Sequence, residues 1–213
     1  MACMVSHRHK FVFCHIPRTG GTSFTEHIRR YCAKRSDLGK ESGEFIAVSH
    51  MPLWRMKALY FKQRDDWDDY FKFTVVRNPY DRMVSLFCHL VGLGNQRWNG
   101  KFENMMAELN SENQWREYSR FRYGQAVFWP ADMYLSYNYK AAMFDEVLRF
   151  EDMPGKAPEI LEKLGIKESV RNFKYPHVNK SKRKPYREYY DDFCKSVVEK
   201  RYWWELKTFG YDF

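Results

Sequence analysis

Residues 15–24 have the sequence HIPRTGGTSF, and this stretch decides the fold because of what lies on either side of it. A short apolar run, Phe11–Cys14, precedes it, and a segment of helical composition, Thr25–Cys32, follows it. A strand, a glycine loop and a helix in this order favour an anion at the helix N-terminus. The first helical N–H groups have no intrahelical partner there, and the helix dipole is positive. The stretch predicts a phosphate site, with an ordinary capped turn as the alternative.

The side chains of this loop are those that a phosphate group needs. Gly20 and Gly21 lack a Cβ atom, so the backbone can turn tightly and approach an anion closely. Arg18 adds a permanent positive charge with a planar fork of donors. Three hydroxyl groups complete the predicted anion site: Thr19, Thr22 and Ser23.

The loop does not follow the Walker A pattern of common nucleotide-binding proteins. That pattern has four residues between its glycines and then a Gly-Lys-Ser/Thr sequence, whereas here the glycines are adjacent and no lysine follows them. The predicted strand Phe71–Val76 runs into Arg77, where a Walker B strand would offer an aspartate for magnesium. Metal-dependent phosphoryl transfer is therefore poorly supported.

Composition limits the class of protein. A chain of 213 residues with 44% hydrophobic residues fits one domain, 1–213, with a sizeable core. The sequence has no apolar run of about 20 residues and no signal-peptide core, and its first predicted strand begins about ten residues in. These features predict a soluble, cytoplasmic protein without a membrane span.

Cysteine usage and charge narrow the class further. The five cysteines are odd in number and widely spaced without a CxxC pair, which argues against a disulfide framework or a zinc site. We therefore expect no metal. The net charge is +9, and residues 171–187 contain seven Lys or Arg and no Asp or Glu. This basic loop indicates an anionic partner: a nucleotide, a sulfated or phosphorylated substrate, or nucleic acid.

The remaining chain alternates predicted strands and helices. Strands are predicted at 45–48, 71–76 and 146–150, and helices at 53–61, from Pro79 onwards, at 151–164 and at 188–208. This alternation predicts an α/β fold whose mostly parallel sheet is covered by helices on both faces. Residues 91–140 have a weaker pattern and form a helical insertion rich in aromatic residues. Most of these should be core, with three candidates for acceptor binding: Trp98, Trp115 and Trp129.

Three predicted strands end in polar groups at one edge of this sheet, where ligands of open α/β sheets collect. The first is followed by Arg18–Ser23, the second by His50, and the third by Arg77, with Ser85 about two turns into the next helix. Arg77 and Ser85 are suited to a second phosphate. Two separate anion sites indicate a bis-phosphorylated nucleotide.

The sequence motifs that contain these polar residues resemble motifs of the sulfotransferases. PRTGGTS resembles their 5′-phosphosulfate loop, and RNPYDRMVSLF is similar to their 3′-phosphate motif, Arg-x-Pro-x-x-Arg-x-x-Ser. SHMP resembles the Thr-His-Leu-Pro of cytosolic members, whose histidine is the catalytic base. Three further segments resemble the carbohydrate-type branch, sulfotransferase family 2, more closely than the cytosolic members: RFEDM, HVNKS and the closing FGYDF. The three motifs occur in the family's order, whereas residues 91–140 match no motif.

The resemblance implies a P-loop-like α/β fold, the donor 3′-phosphoadenosine-5′-phosphosulfate, the product adenosine 3′,5′-bisphosphate, and no metal. It implies that Arg18–Ser23 (Arg18, Thr19, Gly20, Gly21, Thr22 and Ser23) hold the 5′-phosphosulfate, and that Arg77 and Ser85 hold the 3′-phosphate. The basic loop would close over the nucleotide through Lys180, Lys182 and Arg183. His50 would accept the proton of an acceptor hydroxyl, and Arg18 would meet the charge that develops in the reaction.

The sequence departs from the family pattern at two positions and leaves some roles open. The family usually has Lys where Arg18 stands, and cytosolic members have Lys where Val48 stands. Arg keeps the charge of Lys but not the compact point donor that can follow a leaving oxygen. Glu26 is a rival for the role of base, since some carbohydrate sulfotransferases use a carboxylate. Arg82 is interpreted as structural.

The acceptor and the oligomeric state do not follow from the sequence. A saccharide or a small hydroxylated metabolite is expected as acceptor. Two other functions are weighed: a nucleotide or polyphosphate kinase with a degenerate loop, and a non-catalytic nucleic-acid binder that uses residues 171–187. The kinase lacks the Walker lysine and the acidic strand end. The nucleic-acid binder leaves both phosphate motifs without a purpose, so we expect no nucleic-acid partner.

Overall fold

The computed structural model describes residues 3–32, 45–48, 50–111, 125–135, 144–166 and 183–213. It has five β-strands in these ranges: β1 Cys3–Ser6, β2 Phe11–Cys14, β3 Phe45–Val48, β4 Phe71–Val76 and β5 Glu146–Arg149. Its α-helices there are α1 Gly21–Cys32, α2 Leu53–Tyr60, α3 Pro79–Gly92, α4 Phe102–Asn110, α5 Asp132–Leu135, α6 Met153–Lys163, α7 Asp192–Arg201 and α8 Trp203–Phe209. Short 3₁₀ turns lie at Trp67–Asp69, Gln125–Phe128, Phe150–Asp152 and Tyr186–Tyr189.

The strands form one sheet in the order β3-β1-β2-β4-β5. β2, β4 and β5 pair in parallel, with Phe13 opposite Phe73 and Thr74 opposite Val147. β1 is antiparallel to both of its neighbours, β2 and β3, so β3 runs in the same direction as β2. The predicted α/β class with a mostly parallel sheet is confirmed.

The expectation that the first strand begins about ten residues into the chain is wrong. The first strand is β1, Cys3–Ser6, and not the strand that begins at Phe11. β1 was missed because it is only four residues long and buried along its whole length, so it shows no alternation of apolar and polar residues. Because β1 runs antiparallel, Cys3 lies at the edge where β2 and β3 end.

The chain divides into two compact units, which are described separately. The first unit comprises residues 1–76 and 133–179, and the second comprises residues 77–132 and 180–213. The prediction that residues 1–213 form a single domain stays a prediction. None of the described helices is long and apolar enough to cross a membrane.

The core of the first unit forms on one face of the sheet. Phe11 and Phe13 alternate along β2 and contact Phe73 of β4, with ring centroids 6.0 and 4.9 Å apart. Phe24 and other apolar residues of α1 and α6 complete this cluster. Burying each side chain of this size stabilises the fold by ~1.5–3 kcal/mol. This packing holds α1, and with it the glycine loop, against the sheet.

The core of the second unit joins α3, α4 and α7. Its buried residues include Phe87, Phe102 and Val198. Trp98 is also buried there, and its Nε1 donates to a Glu108 carboxylate oxygen at 2.8 Å. Trp98 is therefore a core residue, and the expectation that it binds the acceptor is wrong. Trp129 stays a candidate, whereas Trp115 lies outside the described residues.

The prediction of one continuous C-terminal helix over residues 188–208 is wrong. The chain forms two helices, α7 and α8, with a break at Tyr202, whose φ is −113° and ψ is 22°. The Tyr202 hydroxyl is buried and donates to the Phe128 carbonyl at 3.0 Å. Tertiary packing of this ring thus interrupts a segment that contains no glycine or proline.

Candidate functional site

The glycine loop lies between β2 and α1 in the first unit. α1 begins at Gly21, four residues before the predicted start, so the loop leads directly into the helix N-terminus. The backbone of Arg18 is in the left-handed region, with φ 65°, as is that of Gly20, with φ 78°. This conformation is uncommon for a residue with a side chain, costs roughly 1–3 kcal/mol, and is found most often at ligand sites. The left-handed backbone at Arg18 is therefore consistent with a ligand site in this loop.

Gly21 is required by the packing around it. A Cβ atom at this position would lie 2.4 Å from Cδ2 and 2.6 Å from Nε2 of His15. The sequence reasoning attributed this glycine to the approach of a phosphate, but the structure gives it a second reason, which is contact with the His15 ring. The Thr19 hydroxyl donates to the Ile16 carbonyl at 2.9 Å and so shapes the loop from within.

The start of α1 has the electrostatics of an anion site. The first turn of the helix contains no acidic residue, so nothing there neutralises the positive end of the helix dipole. Arg18 is partly exposed beside this turn, and Thr22 is partly buried within it. The side chain of Ser23 lies outside the described part of the structure. These groups fit the phosphosulfate end of the expected donor.

His50 follows β3 and is held by the start of the glycine loop. Its Nδ1 lies 2.8 Å from the backbone carbonyl oxygen of His15. A carbonyl oxygen only accepts hydrogen bonds, so Nδ1 carries the proton and donates. In the neutral ring the lone pair is then on Nε2. This tautomer leaves Nε2 able to accept a proton.

The surroundings of His50 keep its ring neutral. Burial lowers the pKa of His50 below its ordinary value of 6.5, and the positive charge of Arg18 lowers it further, although the bond to the His15 carbonyl raises it. The His15 ring lies against it edge to face, with centroids 4.7 Å apart. An imidazole in this setting is deprotonated at neutral pH, as a general base requires.

His15 is a contact residue that the sequence reasoning did not single out. It is 2% exposed, its ring stacks on Phe13 at 5.8 Å, and its Nδ1 is buried without a hydrogen-bond partner among the described residues. Burial lowers its pKa well below the usual value, with a further contribution from His50. His15 is therefore neutral in the folded protein and touches both His50 and Gly21.

The neutrality of His15 predicts a pH dependence of stability. The unfolded chain takes up a proton on His15 below about pH 6.5, whereas the folded protein does not. The free energy of unfolding should therefore fall as the pH drops from 7 to 5, with a contribution from this residue of up to about 1.4 kcal/mol per pH unit. Urea unfolding at several pH values measures this slope. His15→Gln should make the slope shallower, and an unchanged slope would contradict the prediction.

Cys3 joins the two loops of the first unit. Its Sγ accepts the backbone N–H of His15 at 3.2 Å and that of Met51 at 3.3 Å. The thiol of Cys14 donates to the Met51 carbonyl at 3.2 Å. These contacts tie the residue after His50 to the start of the glycine loop. The sequence reasoning missed Cys3 because it took the N-terminus to precede the sheet.

The second unit contains the Arg77 motif at the start of α3. The Asn78 side chain caps this helix by accepting the Tyr80 N–H at 3.0 Å, and Pro79 occupies its first turn, both as predicted. Arg77 is 9% exposed, and its Nε donates to Asp81 at 2.8 Å. The Arg77 Nη2 also donates to Asp81, as does Nη2 of Arg183. One carboxylate thus bridges two guanidinium groups.

Ser85 lies one helical turn beyond Asp81 and is buried. Residues four apart share a face of a helix, so Ser85 and Asp81 lie on the same face of α3. Nη1 of Arg183 is buried and has no hydrogen-bond partner among the described residues. A buried donor without an acceptor is unfavourable, which is consistent with a ligand that supplies one. Arg77 and Arg183 thus share Asp81, and Ser85 lies on the same helix face as Asp81, whereas Lys180 and Lys182 lie outside the described residues.

Arg82 belongs to the same helix but has a different environment. It is 1% exposed, its Nη1 and Nη2 donate to the Trp129 carbonyl at 3.1 Å, and Nη2 lies 3.2 Å from a Glu205 carboxylate oxygen. Its guanidinium also lies over the Tyr202 ring. These contacts confirm the interpretation of Arg82 as structural.

Comparison with protein families shows which family the chain belongs to. A family model described as the sulfotransferase family matches residues 1–212 of the 213. The chain belongs to the sulfotransferase family. The matching model is that of family 2, as the resemblance implied. Comparisons with curated proteins and with solved structures found no match.

Membership of the sulfotransferase family confirms the P-loop-like fold and makes the chain a sulfotransferase. The structure brings Arg18, Gly20, Gly21, Thr22 and His50 together in the first unit. Arg77 and Arg183 both bond to Asp81 in the second unit, which also contains Ser85, and the sequence analysis gave Asp81 no role. Among the described residues, no group of His, Cys, Asp or Glu side chains is arranged to hold a metal ion.

Proposed function

We propose that this sulfotransferase transfers a sulfuryl group from 3′-phosphoadenosine-5′-phosphosulfate to a hydroxyl group of its acceptor, with His50 as the general base. The observation that carries the proposal is the hydrogen bond from His50 Nδ1 to the His15 carbonyl. This bond leaves the lone pair of a neutral imidazole on Nε2 and ties His50 to the start of the loop that we assign to the sulfuryl donor.

We assign two sets of residues to the two ends of the donor. We assign the 5′-phosphosulfate group to Arg18, Thr19, Gly20, Gly21, Thr22 and Ser23, and the 3′-phosphate group to Arg77, Ser85 and Arg183, with Lys180 and Lys182. The left-handed backbone at Arg18 and the absence of an acidic residue from the first turn of α1 support the first assignment. The buried, unpaired Nη1 of Arg183 supports the second. When bound, the donor supplies an activated sulfuryl group.

The residues of the chain handle the proton and the developing charge. His50 Nε2 accepts the proton of the acceptor hydroxyl, and the His15 carbonyl stabilises the imidazolium ion through the Nδ1–H bond. Arg18 and the first N–H groups of α1 stabilise negative charge on the oxygen atoms of the reacting group. Arg18 keeps the charge of the family's usual lysine and adds a planar donor fork. These steps need no metal.

The alternative base, Glu26, has a less favourable environment. Glu26 is exposed on α1, whereas His50 is partly buried and held in one tautomer. A base is most effective when a fixed hydrogen bond orients it toward the proton that it accepts. This difference supports His50.

The acceptor is proposed as a saccharide or a small hydroxylated metabolite. Transfer of ³⁵S-labelled sulfate from the donor to a panel of hydroxylated saccharides and metabolites tests the activity. We expect labelled product with at least one acceptor class in the presence of EDTA. Absence of transfer to every acceptor, together with transfer of the γ-phosphate of ATP in magnesium, would show that the proposed function is wrong.

Arg77 should contribute strongly to nucleotide affinity. Arg77→Ala removes a charge-assisted phosphate contact of about 1.5–3 kcal/mol and should weaken binding of adenosine 3′,5′-bisphosphate by about 10- to 150-fold. Isothermal titration calorimetry measures this change. Arg97→Ala removes a more exposed arginine of the same unit and serves as the control. Equal affinities of wild type and Arg77→Ala would contradict the assignment.

A further inference from the structure

Asp81 stands between two positively charged side chains of the second unit. It accepts hydrogen bonds from Nε and Nη2 of Arg77 through one carboxylate oxygen and from Nη2 of Arg183 through the other. All three side chains are at most 18% exposed. Two guanidinium groups that would otherwise repel each other are thus fixed by a single carboxylate.

The three groups together remain positive. Two guanidinium ions and one carboxylate carry a net charge of +1. A guanidinium has five N–H donors in a rigid fork, so the bonds to Asp81 fix its plane and use only part of its donors. On Arg183, Nη1 is buried and has no acceptor among the described residues. The carboxylate therefore orients Arg183 and leaves a donor for an anion.

The position of Asp81 on α3 relates these arginines to Ser85. Asp81 lies four residues after Arg77 and four residues before Ser85, a spacing that keeps Asp81 and Ser85 on one helix face. Asp81 is also in the first turn of α3, where the helix dipole favours a carboxylate. The backbone thus places the residue that holds the arginines on the same helix face as the serine that we assign to the 3′-phosphate.

We propose that Asp81 is a positioning residue for recognition of the nucleotide 3′-phosphate, which it serves by holding the Arg77 and Arg183 guanidinium groups in a fixed arrangement. This inference rests on the proposed function, because it takes the 3′-phosphate as the ligand of the two arginines. Asp81 does not itself bind the phosphate, since two anions repel each other. It acts by orienting the groups that do.

The proposal predicts a change in phosphate affinity that is opposite to the change expected from charge alone. Removal of a negative charge close to a phosphate site should strengthen phosphate binding if charge alone matters. Asp81→Asn should instead weaken binding of adenosine 3′,5′-bisphosphate by about 10- to 100-fold, because the arginines lose their common anchor. Binding of adenosine 5′-phosphate, which lacks the 3′-phosphate, should change by less than about twofold.

The experiment compares both nucleotides by isothermal titration calorimetry against wild type, Asp81→Asn and a control. The control is Glu188→Gln, which removes an equal charge from an exposed residue of the same unit that pairs with Lys184. Its affinity for either nucleotide should change by less than about twofold. Circular dichroism melting curves show whether each variant is folded.

A second variant covers the case in which Asp81→Asn does not fold. Asp81→Glu keeps the charge and displaces the carboxylate by one methylene group, so it should weaken adenosine 3′,5′-bisphosphate binding by about fivefold or more. Unchanged or tighter binding of this nucleotide by either folded variant overturns the role of Asp81 alone. If wild type binds the two nucleotides equally, the assigned 3′-phosphate site is wrong, and the proposed function fails with the inference.

Discussion

Replacement of His50 with alanine is expected to lower the rate of sulfuryl transfer by about 10²- to 10⁴-fold, the usual contribution of a general base. The affinity for adenosine 3′,5′-bisphosphate should change by less than about twofold, because the groups assigned to the nucleotide remain in place. The loss follows from removal of Nε2, the atom that the bond from Nδ1 to His15 leaves as proton acceptor. Transfer kinetics and nucleotide titration on the same preparation separate the two effects.

A matched control for this variant is His89→Ala. His89 is a partly buried histidine near the end of α3 in the second unit, and it belongs to neither set of assigned residues. Its replacement should leave the transfer rate unchanged. Near-normal turnover of His50→Ala would show that His50 is not the base and would redirect attention to Glu26.

Replacement of Arg82 with methionine is expected to destabilise the protein by about 3–5 kcal/mol, because Glu205 is left buried without its partner. Both side chains are 1% exposed, and the Trp129 carbonyl also loses its donors. Burial already raises the pKa of Glu205, and Arg82 opposes that rise. Without Arg82 the carboxyl should take up a proton more readily, so the destabilisation should grow as the pH rises from 5 to 8. Urea unfolding of wild type and variant at several pH values measures the loss in free energy of unfolding.

Two further variants test the cause of this destabilisation. Arg64→Met removes an exposed arginine, which pairs with Asp66 at the surface, and should change stability by less than about 0.5 kcal/mol. The double variant Arg82→Met with Glu205→Gln should recover much of the loss, because a neutral side chain can still accept the Ala131 N–H. A loss of stability no larger than that of Arg64→Met would mean that this ion pair does not hold the second unit together.

Much of the fold follows from local pattern in the sequence. β4 was predicted with its correct bounds, because Phe71–Val76 is rich in β-branched and aromatic residues and ends at a helix cap. Asn78 and Pro79 marked the start of α3 for the same local reasons. By contrast, β1 has no alternation, and the break at Tyr202 depends on a hydrogen bond to the distant Phe128. Neither feature has a local signal.

The residues of the candidate site likewise include some that a local sequence pattern predicts and some that it does not. Arg18, His50, Arg77 and Ser85 were predicted from motif and order along the chain. The residues that hold His50 in place were not, because Cys3 and His15 reach Met51 and His50 through contacts between distant segments. Arg183 was predicted as a nucleotide-binding residue, but its bond to Asp81 has no local signal. Asp81 is the exception. Its position four residues after Arg77, across the Asn78 cap of α3, was a local signal for an ion pair.

The roles of the two sets of residues depend on the nucleotide that the protein binds. Both the assignment of His50 as base and that of Asp81 as positioning residue assume a donor with a 5′-phosphosulfate and a 3′-phosphate. A kinase with the same loop would instead bind ATP with magnesium. The choice of nucleotide therefore separates the two enzyme classes without knowledge of the acceptor.

Titration calorimetry of wild type with adenosine 3′,5′-bisphosphate in EDTA is the most direct test of the account. We expect binding at least about tenfold tighter than that of adenosine 5′-phosphate in EDTA or of ATP in magnesium, because of these nucleotides only the bisphosphate carries the 3′-phosphate that we assign to Arg77, Ser85 and Arg183. Tighter binding of ATP in magnesium, with no preference for the 3′-phosphate, would contradict the proposed donor.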